Sequence, residues 1–305
     1  MTTTTSPSTA PAEEIDLRLG RSALSPWRRL ADRAASAGMV LTVVVAVVPL
    51  GLVCYTVATK GAGVLSLDFF TQDIQNSPRR PGGGMAPAIV GTLVITGMAA
   101  LIAVPLGVLG AIYLNEYGKQ KPLARTIRMM ADVMTGVPSI VMGLFIYIAW
   151  VTTFQEQTGF AGSLALACLM VPVVLRSSEE MLRLVPDELR HASLALGAPR
   201  WRTTVSVVLP AAVSGITSGS LLAIARAAGE TAPLVVTIGL INTVNPNPFS
   251  GPNTSLSMQI FRNASQPFAV ANDRAWGAAL TLVTIVLVFT VLARFIANRF
   301  AVKER

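Results

Sequence analysis

Long apolar runs constrain this chain more than any other feature of its sequence. A helix needs about 20 apolar residues to cross the hydrocarbon core of a bilayer. One run, 162–175, is short but reaches that length if Arg176 snorkels, and another, 203–241, is too long for a single span. We divide the long run into a span and a short apolar piece, 232–241, at the outer face. The sequence thus predicts an all-α polytopic membrane protein with six transmembrane helices, at residues 37–59, 86–114, 131–153, 162–175, 207–229 and 275–298.

The composition agrees with a membrane protein and excludes an ordinary soluble one. Only 13% of the 305 residues are charged, whereas a soluble domain carries about 25%. Prolines inside the predicted spans remove backbone hydrogen bonds, so we expect several of these helices to be kinked. The prolines in question are Pro49, Pro105, Pro138 and Pro172, together with Pro233 in the short apolar piece.

Residue types that are scarce or absent limit the chemistry of the chain. The single histidine, His191, and two separated cysteines, Cys54 and Cys168, cannot supply the four ligands of a zinc site. No G-x-x-x-x-G-K-[ST] motif occurs, so any energy from ATP must come through a partner. We therefore expect no cofactor and no bond chemistry in this chain. The net charge of +8 indicates basic residues in the cytoplasmic loops of a membrane protein and not a surface that binds nucleic acid.

The basic residues are distributed unevenly between the two sides of the predicted bundle. Most of the 24 Lys and Arg residues fall in the two tails and in the second-to-third and fourth-to-fifth connections. Basic residues favour the cytoplasmic side. Both termini are therefore predicted to be cytoplasmic, with tails at 1–36 and 299–305 and a first extracytoplasmic loop at 60–85. The opposite side holds only Lys60, Arg79, Arg80, Arg262 and Arg274.

The connection between the fourth and fifth spans, residues 176–210, contains signals for a short helix. Pro186 suits a first helical position, and the two acidic residues after it complement the helix dipole. Gly197 is a C-terminal stop, so the predicted helix covers 187–196, and a second helix begins near Arg200. The weakly apolar face of the first helix could enter a soluble partner. The alternative is an amphipathic helix that lies on the membrane.

The same connection resembles a signature of binding-protein-dependent ABC importer permeases. That signature consists of E-A-A, three residues, Gly, nine residues, Ile, one residue and Leu-Pro. The spacing matches throughout, with His191 in place of the glutamate, Ser193 in place of the second alanine and Val207 in place of the isoleucine. The matching positions are His191, Ala192, Ser193, Gly197, Val207, Leu209 and Pro210. The segments LRLVPDELRHASLALGAPRW, LLAIARAAGETAPL and GGGMAPAIVGTL are further similar to the PstA-type permease subunits of bacterial phosphate importers.

The resemblance covers about residues 60–297 and implies a function. It implies a permease subunit of an ATP-driven importer in the bacterial plasma membrane, with phosphate as substrate and a core permease domain at 86–298. The implied partners are a second homologous permease, two ATP-binding cassette ATPases, an extracytoplasmic phosphate-binding protein and the surrounding lipid. In the family, the 176–210 loop forms the coupling helices that dock in a groove of the ATPase. A permease for sulfate or molybdate, a stand-alone carrier or channel, and a membrane enzyme are the competing interpretations.

Arg226 lies deep inside a predicted span, whereas Arg294, the other basic residue within the predicted bounds, lies at the cytoplasmic end of the last span. An arginine at the bilayer centre costs about 2.5–3.5 kcal/mol, and pairing with Glu230 at i+4 offsets only about 0.2–0.5 kcal/mol. Both side chains must therefore face protein or a wet cavity. Two interpretations remain open: a buried pair that locks the helix, or an arginine that lines an anion path with Glu230 tuning it. Guanidinium donors match phosphate oxygens, and the resemblance favours the second interpretation.

A second set of charges lies at the inner end of the fourth span. Arg176 is predicted to meet Glu179 and Glu180 along the helix, and Glu179 to meet Arg183. The simplest interpretation is a solvated ladder of charges at the membrane interface. The alternative is an inner gate on the substrate pathway, in which Arg176 and Glu179 separate when the coupling helix moves. In the fifth span, the motif Gly215-Ile-Thr-Ser-Gly219 predicts close helix packing.

Overall fold

The computed structural model describes residues 26–119 and 121–300, and the regular structure of that part is helical throughout. The predicted tails before residue 26 and at 301–305 lie outside the described residues. The first six helices are α1 (Pro26–Ala62), α2 (Leu67–Thr71), α3 (Ala86–Ile112), α4 (Pro122–Gly136), α5 (Ser139–Ile146) and α6 (Thr152–Phe154). They are followed by α7 (Gly159–Arg183), α8 (Asp187–Ala195), α9 (Arg200–Thr203), α10 (Leu209–Ala228), α11 (Ala232–Thr237), α12 (Leu256–Ala264) and α13 (Ala269–Phe300). Widened π-helical turns occur at Tyr113–Tyr117, Tyr147–Val151 and Thr204–Val208.

The helices confirm an all-α protein with up to six spans. Within the described residues, 5 helices are long and apolar enough to cross a membrane, and a bent pair brings the number to 6. The five candidates outside the bent pair are Trp27–Ala62, Ala86–Tyr117, Gly159–Arg183, Arg200–Ala228 and Ala269–Val291. The structural spans are longer than the predicted ones at most of their ends. Helical geometry continues past the apolar core of each run into flanking polar residues.

The predicted third span at 131–153 is present as a bent pair of helices and not as one continuous helix. This segment is broken between α4 and α5, whose axes are bent by 106°. Val137 takes an extended conformation, with ψ at 131°, and Pro138 precedes the first residue of α5. The proline ring contributes, because it disfavours helical geometry for the residue before it. Of the predicted kinks, this one is the sharp break; Pro105 and Pro172 lie inside single helices.

The chain divides after Tyr55 into two compact units. The described part of the first unit is a length of α1, and every residue whose burial is described from 27 to 55 is exposed. In the second unit, α3 packs along α7 around a core that includes Ile95, Leu166 and Met170. A bundle of this kind places the ends of α4, α5, α7 and α10 near one another.

Small residues let α10 approach α7 closely. A Cβ atom added at Gly215 would collide with the side chain of Met181, and one added at Gly219 would collide with Ser177. The prediction of close packing at this motif is confirmed. The contact lies within the chain and fixes the position of the C-terminal end of α10.

Candidate functional site

Arg226 lies in the last turn of α10 and points into a cavity. The cavity has a volume of about 280 Å³ and is lined by the α4–α5 break, by α7 and by the end of α10. Thr135, Pro138 and Ser139 contribute from the break, and Met170 contributes from α7. In the single chain, 75% of the Arg226 side chain is exposed. The guanidinium therefore faces open space rather than the packed core.

The helix break adds a second favourable feature for an anion at this cavity. Ser139 is the first residue of α5, where the first N–H groups have no acceptor within the helix, although the amide of Val141 bonds to the carbonyl of Pro138 at 2.9 Å. A helix N-terminus carries a partial positive charge. The break thus aims a positive helix end at the cavity that also contains Arg226. A straight third span would have placed this end of the helix dipole elsewhere.

Glu230 is the other charged residue of this cavity. Its Oε1 lies 3.9 Å from Nε of Arg226, and 23% of its side chain is exposed. α10 ends at Ala228, so the predicted pair is present but does not lie on one regular helix. The Ser257 hydroxyl donates to the backbone carbonyl of Glu230 at 2.9 Å and fixes this turn. At such a length and exposure, the pair leaves the Arg226 donors largely available.

Glu179 lies at the centre of a cluster of charges on α4 and α7. Only 1% of its side chain is exposed, and it accepts hydrogen bonds from Arg128 at 2.6 Å, Arg176 at 3.1 Å and Arg183 at 2.7 Å. Arg176 is also paired with Asp132. The predicted pairs along α7 between Glu179 and its two arginines are present. The expected solvated ladder is wrong at its centre, because α4 covers this face of α7 and buries the carboxylate.

Sequence reasoning does not find Arg128 and Asp132 as members of this cluster. Both residues lie on α4, four positions apart, which places them on one face of that helix. This spacing is the only signal in the sequence, and it gains meaning only once α4 is known to pack on α7. Glu180, the other predicted partner of Arg176, is instead exposed.

Helix α8 is the predicted short helix of the fourth-to-fifth connection. It covers Asp187–Ala195 and is preceded by Pro186, which caps it and does not occupy its first position. Gly197 ends the helix with φ at 82°, a conformation that glycine adopts without strain. The amides of Gly197 and Ala198 bond to carbonyls of the last turn at 2.9 and 3.2 Å, the pattern of a Schellman motif. The predicted stop is confirmed.

Arg190 fastens α8 to the ends of two spans. It is 8% exposed and donates to the carbonyls of Leu182 at 2.8 Å and Val185 at 2.6 Å, at the end of α7. Its Nη2 lies 3.0 Å from Glu116, in the π-helical turn that follows α3. Asp187 of the same helix is 3.1 Å away. Arg190 is thus the buried charge that holds α8 to the bundle, and Lys119 adds a surface pair with Asp187 at 3.8 Å.

The opposite side of α8 is open. Leu189 and Leu196 are 45% and 89% exposed, and His191 and Ala192 are exposed between them. Ser193 is half-buried, and its hydroxyl lies 2.9 Å from that of Thr203 at the start of the next helix. The predicted small, weakly apolar face is therefore present and uncovered in the single chain.

Leu209 and Pro210 open α10 directly after a π-helical turn. A proline within a helix lacks an N–H and clashes with the carbonyl four residues earlier. The widened turn at Thr204–Val208 accommodates that missing bond, so α9 and α10 continue as one span. In residues 26–119 and 121–300 there is no group of 3 or more His, Cys, Asp or Glu side chains that could hold a metal ion.

Comparison with known proteins identifies the family. Residues 103–303 match the binding-protein-dependent transport system inner membrane component family. The chain belongs to this family. It is 43% identical over 278 residues to the phosphate transport system permease protein PstA 1 of Mycobacterium tuberculosis, covering 89% of this chain and 91% of the relative. The PstA proteins of Yersinia pestis and Haemophilus influenzae are 42% and 36% identical, each over 88% of this chain.

The permease also shares its fold with solved transporters. A bacterial alginate ABC transporter chain superposes with a TM-score of 0.62 at 15% identity, over 90% of this chain and 98% of the other. A chain of the inward-facing MetNI methionine ABC transporter gives 0.52 at 18% identity, over 72% and 93%. These likenesses establish the fold. The resemblance to PstA-type permeases is confirmed, and the permease is a multi-pass bacterial inner-membrane protein.

Proposed function

We propose that this chain is the membrane-spanning permease subunit of an ATP-driven importer for inorganic phosphate. The observation that carries the proposal is the Arg226 guanidinium in an open cavity at a helix break, in a chain whose relatives are named phosphate transport system permeases. Residues 86–298 form the core permease domain, and both termini lie in the cytoplasm. The distribution of basic residues supports this orientation.

Arg226 binds the phosphate oxygens in this proposal. Guanidinium presents planar donors that fit two oxygens at once, and the positive end of α5 at Ser139 favours the same anion. The Glu230 carboxylate weakens phosphate binding by repelling the anion. Weaker binding allows release, which transport requires as well as capture. Arg176 and Glu179 mark the inner end of the pathway. The exposure of Arg226 supports a lining role over a buried locking pair.

In this proposal, the 176–210 loop couples ATP hydrolysis in a partner subunit to movement of the permease. The open face of α8, with His191, Ala192 and Leu196, docks in a groove of an ATPase subunit. The assembly contains a second homologous permease, two ATPases and an external phosphate-binding protein. The permease itself catalyses no bond chemistry. The uncovered apolar side chains of α8 support a protein partner on this face.

The test is reconstitution of the assembly in proteoliposomes with labelled phosphate. We expect ATP-dependent uptake of phosphate that exceeds uptake of sulfate, and we expect Arg226→Gln to lower it by about a hundredfold, the loss of a charged hydrogen-bond pair of about 3 kcal/mol. Arg262→Gln, an exposed arginine of α12, is the matched control and should transport normally.

The proposal fails if Arg226→Gln transports at the rate of the unsubstituted complex. A preference for sulfate over phosphate would reassign the substrate. Phosphate flux without ATPase subunits would show a carrier or channel.

A further inference from the structure

One turn of chain, between α3 and α4, is held from two sides by buried or half-buried arginines. From one side, Arg190 of α8 pairs with Glu116 in this turn at 3.0 Å. From the other side, Arg128 of α4 donates to the carbonyl of Leu114 at 2.9 Å and to that of Lys119 at 3.5 Å. The turn therefore links α8, which carries the open docking face, to α4. Because the bonds reach both ends of the turn, a displacement of α8 shifts the point at which α4 is held.

α4 leads from this link to the cavity that contains Arg226. Arg128 and Thr135 lie on the same uninterrupted helix, and α4 ends at Gly136, where the break begins. Thr135 and Pro138 line the cavity. A helix moves as a rigid body over this short distance. A shift at Arg128 therefore alters the wall of the cavity.

The contact between α4 and α7 is built so that it can open. Arg176 and Arg183 sit three positions before and four positions after Glu179 on α7, so they remain with the carboxylate when α4 moves. Only Arg128 reaches Glu179 from the other helix. Its departure therefore leaves no unpaired buried charge, which is the costly outcome for such clusters. Asp132, the other α4 partner, is 59% exposed and can be solvated by water.

We propose that Arg128 is a positioning residue that transmits movement of α8 to the α4–α5 break. It binds the turn beside Glu116 with one end of its guanidinium and Glu179 with the other. When α8 is pushed, Arg128 releases the Glu179 carboxylate. Helix α4 then shifts against α7, and the cavity wall at Thr135 moves with it. The inference rests on the proposed function for the identity of the push, which comes from an ATPase subunit.

The test measures the cavity wall directly and does not depend on the transported substrate. Cys54 and Cys168 are replaced by alanine, Thr135→Cys is introduced, and the full complex is labelled with a water-soluble maleimide with and without ATP and vanadate. We expect nucleotide to change the labelling rate by about tenfold, inside the usual range for coupling between sites. With Arg128→Gln added, we expect no nucleotide response, with basal ATP hydrolysis retained.

Two control variants separate transmission from stability. Arg183→Gln removes another partner of Glu179 but no link to α4, and Arg125→Gln removes an exposed arginine of α4. Both should keep the response. Equal loss in Arg183→Gln and Arg128→Gln would overturn the inference, as would a full response in Arg128→Gln. If Arg128→Gln fails to assemble, Arg128→Lys is used instead. Lysine keeps the charge but cannot bond to the turn and to Glu179 at the same time, so a full response in that variant contradicts the inference.

Phosphate uptake by the unsubstituted complex is measured in parallel. Absence of phosphate uptake with a normal labelling response would refute the proposed substrate and leave the Arg128 inference supported. Normal phosphate uptake, together with an unchanged labelling response in Arg128→Gln, would support the proposed substrate and refute the Arg128 inference.

Discussion

A carboxylate beside an anion-binding guanidinium weakens the hold on the anion, and Glu230 lies 3.9 Å from Arg226. We therefore expect Glu230→Gln to bind phosphate about threefold more tightly and to turn over more slowly, a change of about 0.7 kcal/mol after allowance for the exposure of both side chains. Equilibrium dialysis of labelled phosphate with the purified complex measures the binding, and ATP-driven uptake measures the turnover.

Asp273→Asn is the control for this prediction, because Asp273 is an exposed carboxylate on α13. It should leave both quantities unchanged. Weaker phosphate binding by Glu230→Gln would contradict the tuning role and would favour the interpretation of a pair that locks the helix.

Single residues also show where sequence reasoning stops. Arg226 and Glu230 can be selected from sequence, because a charge inside an apolar run is conspicuous. Glu179 can be selected too, but its burial cannot be foreseen. Burial depends on Arg128 and Asp132, which are 51 and 44 positions from their partners Glu179 and Arg176. No local pattern connects side chains at such separations.

At the scale of one element, α8 depends on its C-terminal glycine. Gly197 has φ at 82°, where an alanine side chain costs roughly 1–2 kcal/mol. We expect Gly197→Ala to loosen the last turn of α8 and to lower ATP-driven uptake while the complex still assembles. Amide hydrogen exchange over Asp187–Ala195 measures the local effect. Gly97→Ala, at an exposed helical glycine of α3 with open space around it, should have no effect on either measurement.

Unchanged exchange over α8 in Gly197→Ala would contradict the capping role. Unchanged uptake with faster exchange would show that transport tolerates a loosened last turn of α8.

Elements differ in how well the sequence predicts them. The predicted bounds of α8 agree with the structure within one residue, because Pro186 and Gly197 act through the local backbone. The break at Pro138 does not follow from the sequence, because the same residue type is accommodated inside α3 and α7 at Pro105 and Pro172. What decides between a bend and a break is packing. α11 packs against α5 after the turn, and a side chain at Gly143 would collide with the backbone of Pro233 in α11.

At the scale of the whole molecule, the orientation in the membrane makes a direct prediction. In a chain lacking Cys54 and Cys168, Asn247→Cys should react with an impermeant maleimide added outside intact cells. Arg125→Cys should react only after the membrane is permeabilised. Both positions are exposed, so the difference reports topology and not burial. The reverse pattern would invert the predicted orientation and would place α8 on the outer side.

The number of spans and the fold class can be predicted because apolar length is a property of short stretches of sequence. The assembly of the spans cannot. The faces of α3, α7 and α10 that meet are defined by small residues such as Gly215 and Gly219, and small residues also occur where no helix approaches. The sequence therefore predicts the spans and the ends of α8 better than it predicts the cavity, which depends on how the helices assemble.

The break between α4 and α5 has a consequence for biogenesis. α4 has 15 residues and a length of about 22 Å, which is less than the roughly 30 Å of hydrocarbon that a lone helix must cross. We therefore expect the two halves to enter the bilayer together rather than one after the other, with Arg128 meeting its partner Glu179 once α7 follows.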